Sequence, residues 1–253
     1  MVHHISTRVT QFAYFSHVLE GPEWRRSKVL DFGGNVGGFL VGAGEAVDHD
    51  DYWCIDLNPM AIQQGRDQFP RAHFVHYNRY SSEFNPNGIR YLPVPDCGLE
   101  FDMILAFSVF THIHKSEMLE LVEQLKGYLA PRGALAFTFC EPGYDRSLSD
   151  PSLPPGSDVR KNLEWCQVKN KSDDIDAIVE RARQSNWCVL IDEDLYVEPG
   201  KEFCHQERLG NAWESYCSYY TTEYMESLFP GAKFFPPVSP EWQHCCVIRK
   251  TEQ

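Results

Sequence analysis

The stretch from Val29 to Leu40 reads "VLDFGGNVGGFL" and places four glycines within six residues, directly behind a short apolar run. Glycine lets a backbone turn sharply and lets a ligand approach closely. The N-terminus of a following helix offers free N–H groups to such a ligand. The stretch therefore predicts a strand over Lys28–Phe32, a ligand-binding turn, and a helix near Gly37–Val47.

The spacing of these glycines does not fit a dinucleotide-binding turn. The pattern G-x-G-x-x-G meets asparagine when it is started at Gly33, and valine when it is started at Gly34. A different alternation fits, in which Asp31, Gly33, Asn35 and Gly37 occupy every second position. This spacing disfavours an oxidoreductase that uses a dinucleotide, which is one alternative for a fold of this kind.

Apolar strands and amphipathic helices alternate through the first 140 residues. The predicted strands are Lys28–Phe32, Tyr52–Asp56, Ala72–Tyr77 and Phe101–Phe110, and the segment Ala130–Cys140 is predicted as a turn into a fifth strand. The predicted helices lie near Gly37–Val47, after Pro59 and over Lys115–Leu129. A helix and turn over Thr221–Phe235 and a strand over His244–Lys250 close the pattern. Near-continuous apolar strands separated by helices are typical of a parallel sheet covered on both faces. The predicted fold class is therefore α/β, with a doubly wound, mostly parallel sheet.

The alternation in the first turn resembles motif I of the class I S-adenosylmethionine-dependent methyltransferases. That motif reads acid-x-Gly-x-Gly-x-Gly, and here Asn35 stands where the middle glycine is usual. Asp56 ends the second predicted strand about 25 residues after Asp31. It is similar in position to an acid that accepts two hydrogen bonds from a ribose diol.

Two later segments carry the same resemblance. "FDMILAFSVFTHI", Phe101–Ile113, resembles the motif of the family's fourth strand, after which Phe107 and Ser108 would approach the cofactor. "LKGYLAPRGALAFTF", Leu125–Phe139, resembles the family's Leu-Lys-Pro-Gly-Gly turn into strand five, with Arg132 in place of a glycine. Together, these matches span residues 28–140 in the order that the family has.

The resemblance implies a seven-stranded sheet of the class I methyltransferase type, a late insertion after strand five, and S-adenosylmethionine as the cofactor. The residues that it assigns to cofactor binding are Asp31, Gly33, Gly34, Asn35, Gly37, Asp56, Leu57, Asn78, Tyr80, Phe107 and Ser108. Asn78 and Tyr80 belong to "YNRYSSEFNPNG", Tyr77–Gly88, which is similar to an adenine-facing segment of some bacterial small-molecule methyltransferases. A solvated Asn/Pro/Gly turn fits the end of this segment equally well.

Methyl transfer from a sulfonium needs alignment and a dry pocket, and it needs a base only when the acceptor carries a proton. The turn "THIH" places His112 and His114 after strand four, at the edge where open α/β sheets bind ligands. His112 is the predicted base because imidazole titrates near neutrality; packing of His112 against the sheet is the alternative. The predicted acceptor-binding residues are His112, Tyr14, His17 and Tyr220, and no metal site is expected.

Four segments make up the predicted domain organisation. Residues 1–27 form an N-terminal helical segment that closes the site, and residues 28–143 form the cofactor-binding core. Residues 144–220 are an aromatic-rich insertion or lid for the substrate, with a helix near Asp173–Gln184, and residues 221–253 return to the core. The Pro/Ser-rich loop 147–157 is either a lid that orders on substrate binding or a surface linker.

Charge and composition narrow the choice of partners. The 253 residues carry a formal net charge of −13, which disfavours nucleic acid as a partner and RNA modification as an activity. No apolar run approaches the roughly 18 residues that a membrane span requires, and no signal peptide is recognised, so no membrane partner is expected. Nine cysteines without a CxxC pair predict buried thiols in the cytoplasm.

Two hypotheses about activity remain. The first is an enzyme that methylates the oxygen or nitrogen of a small-molecule acceptor, such as a secondary metabolite or a sugar-like compound. The second is a catalytically inactive methyltransferase-like subunit that binds a partner, which the departures at Asn35 and Arg132 leave open. The sequence also leaves open whether the chain forms a homodimer.

Overall fold

The computed structural model describes residues 9–141, 144, 152, 184, 186–191, 194–197, 216–238 and 241–251. Of the predicted loop 147–157 and the predicted helix near Asp173–Gln184, only Ser152 and Gln184 fall within these residues. The strands there are β1 Val29–Phe32, β2 Tyr52–Asp56, β3 His73–His76, β4 Phe101–Ala106, β5 Leu129–Phe139, β6 Trp187–Ile191, β7 Asp194–Val197, β8 Tyr216–Tyr220, β9 Lys233–Phe235 and β10 His244–Arg249.

The α-helices of the described residues are α1 Val9–Val18, α2 Gly38–Ala43, α3 Pro59–Gln68, α4 Lys115–Gly127 and α5 Thr222–Leu228. None of them is long and apolar enough to cross a bilayer. Asn58 accepts hydrogen bonds from the first backbone N–H groups of α3, and Pro59 fills the first helical position, where a missing N–H costs nothing. His114 and Thr221 accept the corresponding bonds at α4 and α5, so the cap at His114 sets where α4 begins.

Seven strands form one sheet in the order β3-β2-β1-β4-β5-β10-β9. The five strands from β3 to β5 pair in parallel, and β10 runs antiparallel to both β5 and β9. The chain winds to one side of β1 through β2 and β3, and to the other side through β4 and β5. The predicted seven-stranded, mostly parallel sheet is therefore confirmed.

Local backbone geometry explains why two elements end earlier than predicted. α2 ends at Ala43, because Gly44 takes a φ of +54° and the chain continues as a short 3₁₀ turn. β4 ends at Ala106, because the chain turns out of the sheet through Ser108, which has a φ of +57°. Both residues have a positive φ, which regular helices and strands do not use.

The two faces of the sheet carry different apolar layers. Along β5, Leu135 and Phe137 face a layer built from α4, α5 and Tyr220, whereas Ala134 and Ala136 face α1 and α2. Small residues on the second face leave room for large rings. The buried aromatic residues of that layer include Phe15, Phe39 and Tyr52. Each such ring contributes about 1.5–3 kcal/mol by leaving water, so both layers stabilise the sheet that carries the site.

A second, antiparallel sheet of three strands has the order β7-β6-β8 and lies in the segment predicted as an insertion. The backbone N–H of Tyr220 donates to the carbonyl of Cys140 at 2.8 Å. The Ser218 hydroxyl donates to the carbonyl of Ile113 at 2.7 Å. These bonds join β8 to the end of β5 and to the turn after β4, at the carboxyl edge of the large sheet.

Candidate active site

Three turns meet at the carboxyl edge of the parallel strands. They are the glycine turn after β1, at residues 33–37, the turn after β2, which follows Asp56, and the turn after β4, at residues 107–113. Because β1 pairs in parallel with both β2 and β4, these three strands end at the same edge. Open α/β sheets bind their ligands at this edge, where the strand order reverses.

Asp56 ties the glycine turn to the end of β2. The backbone N–H of Asn35 donates to Asp56 Oδ2 at 2.8 Å, and the backbone N–H of Asn58 donates to Oδ1 at 2.8 Å. A carboxylate offers about four lone pairs, so the group keeps acceptor capacity for the hydroxyls of a ligand. The structure thus brings the predicted ribose-binding acid into contact with the predicted glycine turn.

The glycine turn has a positive φ at three positions, Gly33, Asn35 and Gly37. Gly33 has a φ of +79°, and a β-carbon there would lie 2.3 Å from Cγ2 of Val109, in the turn after β4. Asn35 has a φ of +54°, which asparagine tolerates better than most residues. Its Oδ1 also accepts a hydrogen bond from the N–H of Val36. The asparagine that departs from motif I therefore suits a conformation that glycine adopts freely.

Asp31 lies beneath the glycine turn. Its side chain is buried, and its Oδ2 accepts a 2.6 Å hydrogen bond from the Tyr52 hydroxyl. Burial, together with the nearby Asp31 charge, raises the pKa of Tyr52 well above its ordinary value, so the hydroxyl remains a donor. A β-carbon at Gly34 would lie 2.4 Å from the same carboxylate oxygen, so the turn rests directly on Asp31. Gly37 then leads into α2 as its N-cap residue.

A buried arginine holds the segment after β3 against α4. Arg79 is 2% exposed, and its guanidinium donates to Glu117 at 3.1 Å and to Glu120 at 2.9 Å. It also donates to the carbonyl of Leu92 at 2.7 Å. Ion pairs thus fix the segment from Tyr77 to Leu92 to α4, on the side of the sheet edge where β3 ends.

The residues predicted near the adenine lie in different environments. Tyr80 is buried, and the guanidinium carbon of Arg90 lies 4.3 Å from its ring centroid. Asn78 is exposed, and its Oδ1 accepts a hydrogen bond from Asn85. Leu57, directly after β2, packs against the apolar layer that contains α4. All three lie beyond the carboxyl ends of β2 or β3; contact with the adenine stays a prediction.

A buried polar network holds the turn after β4. The backbone N–H of Ser108 donates to the Thr138 hydroxyl at 2.7 Å, and Gln243 Nε2 donates to the Ser108 hydroxyl at 2.9 Å. The Thr138 hydroxyl in turn donates to Gln243 Oε1. Thr138 and Gln243 were not predicted as site residues. In the sequence, Thr138 stands out as a single polar residue within the apolar run of β5, whereas no feature of the sequence distinguishes Gln243.

The N-terminal helix reaches the same network through Tyr14. Its hydroxyl donates to the backbone carbonyl of Gln243 at 2.9 Å, and its ring packs edge-on against Phe107 with the centroids 6.3 Å apart. Burial raises the pKa of Tyr14, so its hydroxyl acts as a donor rather than as a base. His17, in the last turn of α1, is exposed. α1 therefore contributes Tyr14 as a buried contact beneath Phe107.

His112 forms a pair with Glu83 at this edge. Its Nδ1 lies 3.3 Å from Glu83 Oε2, and the two side chains are only 15% and 12% exposed. The ring of Phe84 packs edge-on against the imidazole, with the centroids 5.2 Å apart. Glu83 was not predicted, because nothing in the sequence places its segment beside "THIH". A carboxylate at Nδ1 leaves Nε2 as the ring nitrogen that can accept a proton.

His114 and Tyr220 are fully buried. His114 Nδ1 accepts a hydrogen bond from the N–H of Ser116 as the cap of α4, so its observed role is structural. Tyr220 belongs to the apolar layer that contains α4, at the junction of the two sheets. Contact between Tyr220 and an acceptor stays a prediction.

Residues 30–135, from β1 into β5, match the family model that is described as a methyltransferase domain. This part of the chain is therefore similar to a methyltransferase domain. The matched residues include the glycine turn, Asp56 and the turn after β4, so the predicted resemblance to class I methyltransferases is confirmed. Among curated protein sequences, no significant match is found.

Solved structures, two of them of methyltransferases, show the same fold over nearly the whole chain. An S-adenosylmethionine-dependent methyltransferase from Clostridium acetobutylicum aligns with a TM-score of 0.52 and 12% identity, over 97% of this chain and 92% of that chain. CalS10, an amino pentose methyltransferase from Micromonospora echinaspora, aligns with a TM-score of 0.51 and 13% identity, over 96% and 92%. DesVI from Streptomyces venezuelae gives 0.51 and 10%, over 97% and 92%. At these identities the likeness concerns the fold, and the class I architecture is confirmed.

Arg132 is the second departure from the methyltransferase motifs and, like Asn35, it has a positive φ. Arg132 has a φ of +65° and an exposed side chain within the first part of β5, where the pairing register with β4 shifts. Glycine is usual there because it adopts this conformation freely, whereas another residue costs about 1–2 kcal/mol. β5 begins at the amino edge of the sheet, so Arg132 lies away from the cofactor edge.

Proposed function

We propose that this protein is an enzyme that transfers a methyl group from S-adenosylmethionine to a small-molecule acceptor. The contact between Asn35 and Asp56 carries the proposal, because it joins the motif-I turn to the acid at the end of β2 within the part of the chain that is similar to a methyltransferase domain. When bound, S-adenosylmethionine supplies an activated methyl carbon. The chain supplies position, orientation and dry surroundings, which account for most of the catalysis in such a displacement.

The proposed cofactor residues form three groups along the carboxyl edge of the sheet. Asp56 accepts hydrogen bonds from the ribose hydroxyls, since a charged acceptor is the strongest partner for a diol. The glycine turn, with Gly33, Gly34, Asn35 and Gly37, leaves the backbone open to the methionine end, and Asp31 supports it from below. The residues assigned to the adenine side and to the turn after β4 are Leu57, Asn78, Tyr80, Phe107 and Ser108.

We assign the general base to His112, with Glu83 as its orienting partner. Glu83 lies at Nδ1, so Nε2 takes the proton from an acceptor hydroxyl or ammonium group. The positive charge that then forms on the imidazole is stabilised by the Glu83 carboxylate. Tyr14, His17 and Tyr220 stay proposed acceptor contacts.

The proposed acceptor is a hydroxyl- or amine-bearing compound, such as a sugar-like molecule or a secondary metabolite. The protein of the same fold from Micromonospora echinaspora is an amino pentose methyltransferase, and the net charge of −13 disfavours polyanionic acceptors. We propose that residues 1–27 and 144–220 line the acceptor site and that residues 28–143 and 221–253 form the core of the fold. The free thiols of the described cysteines fit a proposed cytoplasmic location.

The first test is binding of S-adenosylhomocysteine by titration calorimetry, followed by its formation from S-adenosylmethionine with panels of amino sugars and hydroxylated natural products. Binding is expected, with a rise in melting temperature, because a ligand selective for the native state stabilises it. Absence of binding would contradict the proposal. Binding without turnover of any acceptor would favour an inactive binding subunit, and binding of a nicotinamide dinucleotide instead would favour an oxidoreductase.

A further inference from the structure

We propose that Gln243 is a positioning residue that holds the cofactor-facing turn after β4 and couples it to the N-terminal helix. The proposal rests on the proposed function, because it assigns the turn at Ser108 to the cofactor. Gln243 directly precedes β10 and is 3% exposed. Through its side-chain amide and its backbone carbonyl it contacts three separate elements.

The contacts of Gln243 reach the turn after β4, β5 and α1. Its Nε2 donates to the Ser108 hydroxyl at 2.9 Å, and its Oε1 accepts from the Thr138 hydroxyl. Its backbone carbonyl accepts from the Tyr14 hydroxyl at 2.9 Å. Since β10 is the strand next to β5, the residue before β10 lies beside the carboxyl end of β5 and therefore beside the site.

The side-chain amide also sets the direction of the hydrogen bonds among Gln243, Ser108 and Thr138. An amide nitrogen only donates and an amide oxygen only accepts. The Thr138 hydroxyl therefore directs its hydrogen to Gln243 Oε1, which leaves a lone pair to accept the N–H of Ser108 at 2.7 Å. A side chain of the same size without an amide would remove the two bonds that Gln243 makes to Ser108 and Thr138. The Thr138 hydroxyl could then rotate, so its bond with the N–H of Ser108 would no longer have a fixed direction.

The network holds a backbone conformation that Ser108 would otherwise leave. Its φ of +57° lies in the left-handed region, which costs a residue other than glycine about 1–2 kcal/mol. A methyl group of Val109, the next residue, would clash with a β-carbon at Gly33, so Val109 packs directly on the glycine turn. Relaxation of Ser108 would therefore move both the turn after β4 and its packing against the glycine turn.

The test compares Gln243→Met with Gln124→Met. Gln124 is a matched control on α4, because its Oε1 accepts the N–H of Val94 at 2.7 Å and its Nε2 donates to Glu120 at 2.9 Å. Both variants lose two amide hydrogen bonds. The dissociation constant of S-adenosylhomocysteine, measured by calorimetry, is expected to rise about fivefold to twentyfold for Gln243→Met, on the scale of one hydrogen bond. It should stay within about twofold for Gln124→Met.

A double-variant cycle separates positioning from a general loss of stability. If Gln243 acts through Thr138, the losses of affinity caused by Thr138→Val and by Gln243→Met should not add. The double variant should then bind S-adenosylhomocysteine no more weakly than the single variant that binds it less well. Fully additive losses would overturn the proposal. Tyr14→Phe removes one bond to Gln243 and is the second variant if Gln243→Met does not fold; it should weaken binding about twofold to fivefold.

The two proposals fail in distinguishable ways. Wild-type protein that does not bind S-adenosylhomocysteine overturns the proposed function, and the role of Gln243 with it. Wild-type protein that binds, together with folded Gln243→Met or Tyr14→Phe proteins of unchanged affinity, overturns only the role of Gln243.

Discussion

At the scale of single residues, a substitution of Asp56 tests most directly whether the carboxyl edge of the sheet binds the cofactor. Asp56→Ala removes the carboxylate that holds Asn35 and that is assigned to the ribose. We expect the affinity for S-adenosylhomocysteine to fall about tenfold to a hundredfold, as for one or two charge-assisted hydrogen bonds. Asp102 is the matched control, because it accepts the backbone N–H of Lys28 at 2.8 Å at the opposite edge. Unchanged affinity in a folded Asp56→Ala protein, or an equal loss in Asp102→Ala, would reject the assignment.

His112 and Glu83 test whether methyl transfer uses a base. His112→Ala is expected to lose about a hundredfold to ten-thousandfold in turnover, with cofactor affinity unchanged because the side chain serves the acceptor. Glu83→Gln keeps the ring and should lose less, about tenfold. His49 packs edge-on against Phe69 at 5.5 Å, much as His112 packs against Phe84, so His49→Ala is the control. Steady-state rates with an identified acceptor decide the matter; near-normal turnover of His112→Ala would show that no base acts there.

At the scale of elements, the strands of the parallel half of the sheet and β10 were predicted, whereas β6 to β9 and the early end of β4 were not. β2 has the predicted bounds Tyr52–Asp56, because a run of apolar residues in a parallel sheet is a local property of the sequence. β4 was predicted too long, because Ser108 is held out of the sheet by Gln243, 135 positions away. A local pattern contains no information about an interaction over that distance.

The segment from Tyr77 to Leu92 is an element whose stability depends on one buried cation. Arg79→Met leaves Glu117, which is 3% exposed, without its guanidinium partner. Breaking a buried pair in this way is expected to lower the free energy of unfolding by about 3–5 kcal/mol. Arg71→Met is the control, because Arg71 is 58% exposed and pairs with Asp48 and Asp50 at the surface, where the loss should be below about 1 kcal/mol. Urea unfolding measures both, and equal losses would contradict the structural role.

At the scale of the whole molecule, the contact between the glycine turn and Asp56 was predictable, whereas the side chains that hold His112 and the turn after β4 were not. The glycine turn and Asp56 lie within one strand–helix–strand unit, so their spacing in the sequence carries their arrangement in space. Glu83, Thr138 and Gln243 come from three distant parts of the chain. They meet at the edge only through the packing of the loop after β3, β5 and β10, which spacing does not encode.

The pH dependence of the stability of the whole fold should carry the signature of His244. Burial lowers the pKa of His244 from 6.5 to about 4, and within the described residues its Nδ1 has no hydrogen-bond partner. The unfolded chain takes up a proton as the pH falls through 6.5, whereas the folded protein does so only near 4. The free energy of unfolding therefore falls between these two pH values, by on the order of 2–3 kcal/mol for this residue, and levels off below them.

His244→Phe should remove this part of the pH dependence, because phenylalanine does not titrate. Urea unfolding of both proteins at pH 7 and at pH 4.5 measures it. The wild-type protein should lose more stability between the two conditions than the variant, since all other titrating groups are shared. Equal losses would show that the imidazole is not held neutral by the fold.

The position of β10 has a consequence for biosynthesis. β10 follows β9 in the chain, yet it lies between β9 and β5 in the sheet. While the chain is being made on a ribosome, β9 emerges with no strand to pair with, and the mostly buried β5 keeps an open edge until residue 249 has left the exit tunnel. Unpaired strand edges recruit other chains. During translation, the open edge of β5 is therefore where a chaperone would have to act and where misassembly would begin.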